Sequence, residues 1–207
     1  MENKIYNQLK KIITNPVCEL NFKNNYQLLV AVILSAQCTD KRVNQVTEKL
    51  FKKYPSVFDL AKANISDVKQ IIKPCGFYNT KGVNIVSASK DIVEKFNGVV
   101  PSDMDKLLSL KGVGRKTANV VRAVGFKIPS VAVDTHVFRV SKRLNLTKAN
   151  DVDKCEKDLM KIFDKNEWIN LHHTLLLFGR YYCKAQKPMC DKCDLKQHCK
   201  FYKERKN

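Results

Sequence analysis

Chain-breaking residues are scarce in this sequence: 207 residues hold 7 glycines and 6 prolines, and one tryptophan. So few interruptions leave room for long helical stretches, and β-like pieces such as Ser130–Val133 are too brief to make a sheet. The sequence predicts an all-α fold. Long apolar runs are missing too, and none approaches the roughly 18 residues of a membrane helix. Met1 to Lys11 alternates polar and apolar residues and lacks the apolar centre of a secretory signal. A disulfide framework is absent: Cys18, Cys38, Cys75 and Cys155 have no regular spacing and read as reduced, mostly buried thiols. A cytoplasmic, nucleoid-associated location is therefore expected, with no membrane contact. Acidic charge is short as well, with Asp+Glu 20 against Lys+Arg 38 and a formal net charge of +18. On a globular composition that excess suits a polyanion, nucleic acid being the usual one, or lysines spread over solvated faces.

What is present is helical periodicity. Lys4 to Ile13 reads as a first amphipathic helix ending near Asn15-Pro16. Tyr26 to Cys38 is almost wholly apolar and reads as the buried centre of a domain. Further helices are expected over about Asp40 to Tyr54, Ser66 to Ile72 with Ser66 as cap, and Asn79 to Phe96 stopped by Gly98. The second half predicts helices near Asp134 to Leu144, Val152 to Phe163 and Glu167 to Cys183.

Three strings carry chemistry. In the first, Leu110-Lys111-Gly112-Val113-Gly114-Arg115-Lys116-Thr117-Ala118, a short helix capped by Ser102 meets a second helix over Arg115 to Val124. The Gly-x-Gly turn between them is expected to need glycine at both ends and to leave amides free for an anion. The alternative is a plain tight hairpin. In the second string, Val131-Ala132-Val133-Asp134-Thr135-His136-Val137-Phe138-Arg139, Asp134 falls at a helix start, the place of an ordinary N-cap. The third is Cys183-x6-Cys190-x2-Cys193-x5-Cys199. Four thiolates so close in a reducing compartment suit a metal, and by chemistry alone zinc and iron–sulfur both remain open. From Arg180 to Asn207 there are nine Lys/Arg against three Asp/Glu.

Together these strings resemble the endonuclease III family of DNA glycosylases, whose helix-hairpin-helix matches the first of them. The resemblance spans nearly the whole chain. It implies two helical lobes, residues 22–128 holding the hairpin, and residues 1–21 with 129–207 holding the cysteines, with the active site in the cleft between them. It implies a bifunctional enzyme that removes oxidised pyrimidines and cuts the abasic site through a lysine Schiff base. Lys116 would be the nucleophile and Asp134 the carboxylate that steadies charge on the sugar. A [4Fe-4S] cluster on Cys183, Cys190, Cys193 and Cys199 would hold out a basic finger with Lys184 and Lys187. Gln37 and Phe77 would fill the space left by an extruded base, and Asp40 would line the pocket. Gly112, Gly114 and Arg115 would contact backbone phosphate. Phe77 stands where some relatives carry Leu, and Lys111 where relatives usually have Pro. Val32 occupies the position of the catalytic Glu of adenine-removing relatives, which disfavours that substrate. No role is assigned to His172, His173 or Phe178. The implied partner is double-stranded DNA with a damaged base or abasic site, bound by a monomer. A non-catalytic DNA-binding module, and a glycosylase for mismatched or dimerised pyrimidines, are the alternative readings.

Overall fold

Twelve α-helices and no strand occur among the described residues, 2–205 of the computed structural model. The helices are α1 (Glu2–Ile12), α2 (Asn25–Ser35), α3 (Asp40–Lys53), α4 (Val57–Ala61), α5 (Ile65–Ile72) and α6 (Tyr78–Phe96), then α7 (Met104–Leu108), α8 (Arg115–Val120), α9 (Thr135–Arg143), α10 (Val152–Ile162), α11 (Trp168–Tyr181) and α12 (Lys200–Glu204). None is long and apolar enough to cross a membrane.

The chain divides into two compact units, Glu19–Ile128 and Met1–Cys18 with Pro129–Asn207. The first boundary falls at Glu19 rather than at Phe22, for a local reason. The Asn44 side chain on α3 accepts from the Asn21 amide at 2.8 Å and donates to the Glu19 carbonyl at 2.9 Å, which ties that stretch to α3.

In the unit of residues 19–128, α2 is the centre, with every residue from Tyr26 to Leu34 buried. Its apolar surface is continuous, so neighbours can pack on several sides. Helices α3, α6 and α8 do so. Two expected caps shift by a residue or two. Asn64, not Ser66, opens α5 by accepting the Ser66 amide at 2.8 Å. Asp103, not Ser102, opens α7 by accepting the Lys106 amide at 3.0 Å, and its charge also suits the positive end of the helix. The helix expected through Val124 ends at Val120 and continues as a π-helical turn, Val121–Gly125.

The other unit has its own core. Ile5, Tyr6 and Leu9 of α1 are buried in one cluster with Val137 and Val140 of α9, Leu159 of α10, and Leu171, Leu175 and Phe178 of α11. Helices α9 and α11 approach closely at Gly179. A Cβ there would lie 3.0 Å from His136 Cβ and from Val140 Cγ2.

Candidate active site and cysteine centre

Within the hairpin string, the two glycines do different jobs. Gly112 has φ +79°, a backbone that side chains rarely adopt, and a Cβ on it would stand 2.7 Å from Asn84 Cβ on α6. Gly114 has φ −96° and a Cβ there would meet nothing within 4 Å. The turn thus needs glycine at one end only, against the expectation for both. Gly114 is the N-cap of α8 and has no side chain to offer the first amides of that helix. Arg115 and Lys116 follow on its exposed first turn.

Two further loops of the same unit carry Gln37 and Phe77. Gln37 follows α2 and Phe77 precedes α6; both are exposed, Phe77 by 66%. Both adopt left-handed backbone, φ 52° and 57°. Such non-glycine conformations cost about 1–3 kcal/mol each and persist where the surroundings enforce them. The loops touch, since a Cβ on Gly76 would be 3.6 Å from the Gln37 carbonyl oxygen. Cys38 and Cys75, one residue further along each loop from the contact, are side by side. Burial pushes the Cys75 thiol up to about 12, and a hydrogen bond with Cys38 adds to it. Asp40 is the partly buried first residue of α3, next to its N-cap Thr39.

Asp134 lies in the other unit, as the N-cap of α9. Its Oδ1 accepts from the amides of His136 at 2.9 Å and Val137 at 2.8 Å. A single carboxylate oxygen therefore serves the cap, and the carboxylate is fixed at the positive end of the helix. The segment leading into it is also held: the buried His172 ring is 2.6 Å from the Ala132 carbonyl oxygen. That contact and the burial of Phe178 make both residues supports of the core.

Along α9, away from Asp134, two arginines reach the cysteine loop. Arg139 donates to the Gly179 carbonyl at 2.8 Å and the Cys183 carbonyl at 3.1 Å. Arg143 donates to the carbonyls of Lys184 at 2.7 Å and Ala185 at 3.2 Å, and to the Cys183 thiol at 3.3 Å. Its guanidinium also lies over the Phe201 ring, 4.0 Å from the centroid. Lys184 and Lys187 are exposed on the loop so held, Lys187 with φ 49°.

Cys183, Cys190, Cys193 and Cys199 line one cavity of about 230 Å³, together with Leu144, Phe178 and Phe201 among others. Burial pushes the Cys193 and Cys199 thiols up, and the neighbouring thiols add to the rise in each. Among the described residues no three His, Cys, Asp or Glu side chains are grouped to hold one metal ion. Four cysteine thiols lining one cavity are a donor set that fits an iron–sulfur cluster.

Residues 30–165 match the HhH-GPD superfamily of base excision DNA repair proteins. The endonuclease III of Bacillus subtilis is 50% identical over 184 residues, 88% of this chain and 84% of that protein. That of Escherichia coli is 41% identical over 202 residues, 98% of this chain and 95% of that one. The chain belongs to the endonuclease III family. A solved endonuclease III, trapped as a covalent intermediate with DNA, covers 100% of this chain and 99% of its own with 45% identity and a TM-score of 0.95. A non-covalent endonuclease III–DNA complex matches equally well, with a TM-score of 0.95 and 45% identity. A thermostable thymine-DNA glycosylase at 24% identity and a TM-score of 0.79 shares the fold. The cysteine loop lies beyond residue 165, outside the superfamily match but within the span of the covalent-intermediate structure.

The sequence reading gives no role to four residues that hold these loops in the structure: Asn84, Arg139, Arg143 and Lys81. The arginines are lost among 38 basic residues. Lys81 did leave a signal, since it falls on the apolar face of α6 in line with Ile85 and Ile92.

Proposed function

We propose that this protein is a bifunctional DNA glycosylase and abasic-site lyase that acts on oxidised pyrimidines as a monomer. The observation that carries the reading is the whole-chain likeness to an endonuclease III trapped covalently on DNA, joined to a lysine exposed on the first turn after the hairpin.

The turn Gly112–Gly114, with Arg115, seats a backbone phosphate, and Lys184 and Lys187 add contacts from the cysteine loop. Gln37 and Phe77 enter the stack as the damaged nucleotide leaves it, and Asp40 contributes to the pocket that receives the base. Asp134, fixed in place by two backbone amides, stabilises positive charge on the sugar as the glycosidic bond breaks and its electron pair departs with the base. The Lys116 amine, deprotonated to act, bonds to C1′, and opening of the sugar ring gives a Schiff base. Loss of a C2′ proton then expels the 3′ phosphate, which cuts the strand.

Cys183, Cys190, Cys193 and Cys199 would hold a [4Fe-4S] cluster. When bound, it supplies a structural clasp that closes residues 183–199 on themselves. Arg143 meanwhile grips the Lys184 and Ala185 carbonyls and so sets the direction of the basic finger.

A panel of duplexes, each with one oxidised pyrimidine, mismatched pyrimidine, pyrimidine dimer or mispaired adenine, tests this reading. Release of the oxidised base with a nicked strand is expected. Tight, salt-sensitive binding without cleavage of any of them would instead make the protein a DNA-binding module. Cleavage confined to mismatches or dimers would change the substrate and keep the machinery.

A further inference from the structure

Lys81 has no place in the chemistry above, yet it is the best-buried lysine among the described residues, whose other lysines are mostly solvated. It is only 5% exposed. Burial pulls its ammonium below the ordinary lysine range. An amine kept in the core is costly unless its donors are used, and here they are. Its Nζ donates to the Leu34 carbonyl at 2.9 Å and the Ala36 carbonyl at 2.6 Å. These carbonyls belong to the end of α2, where helical partners run out, just before the chain turns through Gln37. The Lys81 backbone amide donates to the Phe77 carbonyl at 3.0 Å, closing the first turn of α6 behind Phe77. One residue therefore bonds the segment leading into Gln37 through its side chain and the Phe77 segment through its backbone.

We propose that Lys81 is a positioning residue that fixes Gln37 and Phe77 relative to each other, so that both side chains enter the DNA stack together. The proposal rests on the reading of Gln37 and Phe77 as the residues that replace the extruded base. Two left-handed non-glycine residues on touching loops need something to enforce them, and Lys81, beside the Cys38–Cys75 hydrogen bond, joins the two loops with charged hydrogen bonds to the end of α2. Without its ammonium, the end of α2 keeps its packing through Leu34 but loses the bond across to α6. Gln37 can then drift while Phe77 stays at the start of its helix.

Substitution tests this in three assays: single-turnover excision of an oxidised pyrimidine from duplex, strand cleavage at a preformed abasic site, and fluorescence of a 2-aminopurine beside the lesion. Lys81→Met keeps the stem and removes the donors. Excision is expected to fall about 30-fold and the unstacking signal to slow in proportion, because small misplacements of positioned groups cost that order of rate. Cleavage at the abasic site, where no base must leave the stack, is expected to stay within about threefold. Equal losses in excision and abasic cleavage would mark Lys81 as a support of the fold only, and unchanged excision would overturn the proposal outright. Lys81→Gln, whose shorter amide does not span both carbonyls, is expected to lose about tenfold in excision. Full excision by it overturns the proposal even where the Met variant fails to fold. Gln37→Ala and Phe77→Ala separate the two levels. If neither slows excision, the stack-filling reading fails; if both do and Lys81→Met does not, only the positioning role fails.

Discussion

Helices α6 and α9 both hold short functional loops, and they do so by different means. Helix α6 works with its own atoms: Lys81 bonds the α2 end, Asn84 closes under Gly112, and Ile85, Val86 and Ile92 anchor the helix in the core. Helix α9 instead grips the cysteine loop through arginine side chains on backbone carbonyls, and leaves four thiols around a cavity to close it. The first arrangement is complete in protein alone. The second leaves a thiol-lined cavity that the proposed cluster would fill. Under the proposed function, the loops that place the DNA are set by packing, while the basic finger would be coupled to the cluster.

The comparison can be broken at several points. At the start of α9 the prediction is chemical. Asp134→Asn keeps an oxygen for the cap but loses the charge, so base release should slow about 10²–10³-fold. Affinity for undamaged duplex should barely change, and an equal loss in binding would make Asp134 merely structural. Removal of the proposed cluster comes next. Oxidation followed by chelation should raise amide exchange across residues 183–199 and weaken duplex binding about tenfold, through lost phosphate contacts. Protection of the loops around Gln37, Phe77 and Gly112 should persist. If exchange rises there as well, the contrast between the two helices is wrong.

The glycines give a smaller effect. Gly112→Ala forces a side chain into left-handed backbone and against Asn84, and should destabilise by about 1–3 kcal/mol. Gly114→Ala, with open space before it, should stay within about 0.5 kcal/mol. Thermal melts of the two variants check the order, and any phosphate role of Gly114 would then appear in DNA affinity alone. The smallest effect concerns His136. Burial pulls its pKa down, against the Asp134 charge that raises it. The folded state therefore favours the neutral ring. The associated stability is complete above the ordinary histidine value of 6.5 and is lost as pH falls below it toward the folded-state value. Between pH 7.5 and 5.5, roughly one unit either side of that value, the melting temperature of His136→Gln should fall less than that of the parent. Parallel curves would contradict this.

How much was legible in the sequence follows from how far apart the interacting parts lie. The helices were readable because apolar periodicity is local, and Leu28 to Leu34 could be nothing but a core. Lys116, Asp134 and the four cysteines stand in short contiguous strings. Their supports do not: Lys81 is bonded to residues some 45 positions earlier, and Arg143 to residues about 40 positions later. No local pattern announces such pairings, although a lysine among Ile85 and Ile92 is a position that calls for a partner. The Gly-x-Gly turn departs from its sequence expectation for the opposite reason. A motif suggests that every fixed letter is required by the backbone, whereas Gly114 has ordinary φ and only Gly112 does not. The π-helical turn at Val121–Gly125 had no sequence signal that we can identify.

The central claim is that the Lys116 amine becomes bonded to the sugar. Borohydride reduction of a reaction with duplex containing one oxidised pyrimidine tests it most directly. The parent protein should yield a stable protein–DNA adduct whose linked peptide contains Lys116. Lys116→Ala should give none while still binding the duplex. An adduct of equal yield from Lys116→Ala, or one mapped to another lysine, would contradict the account.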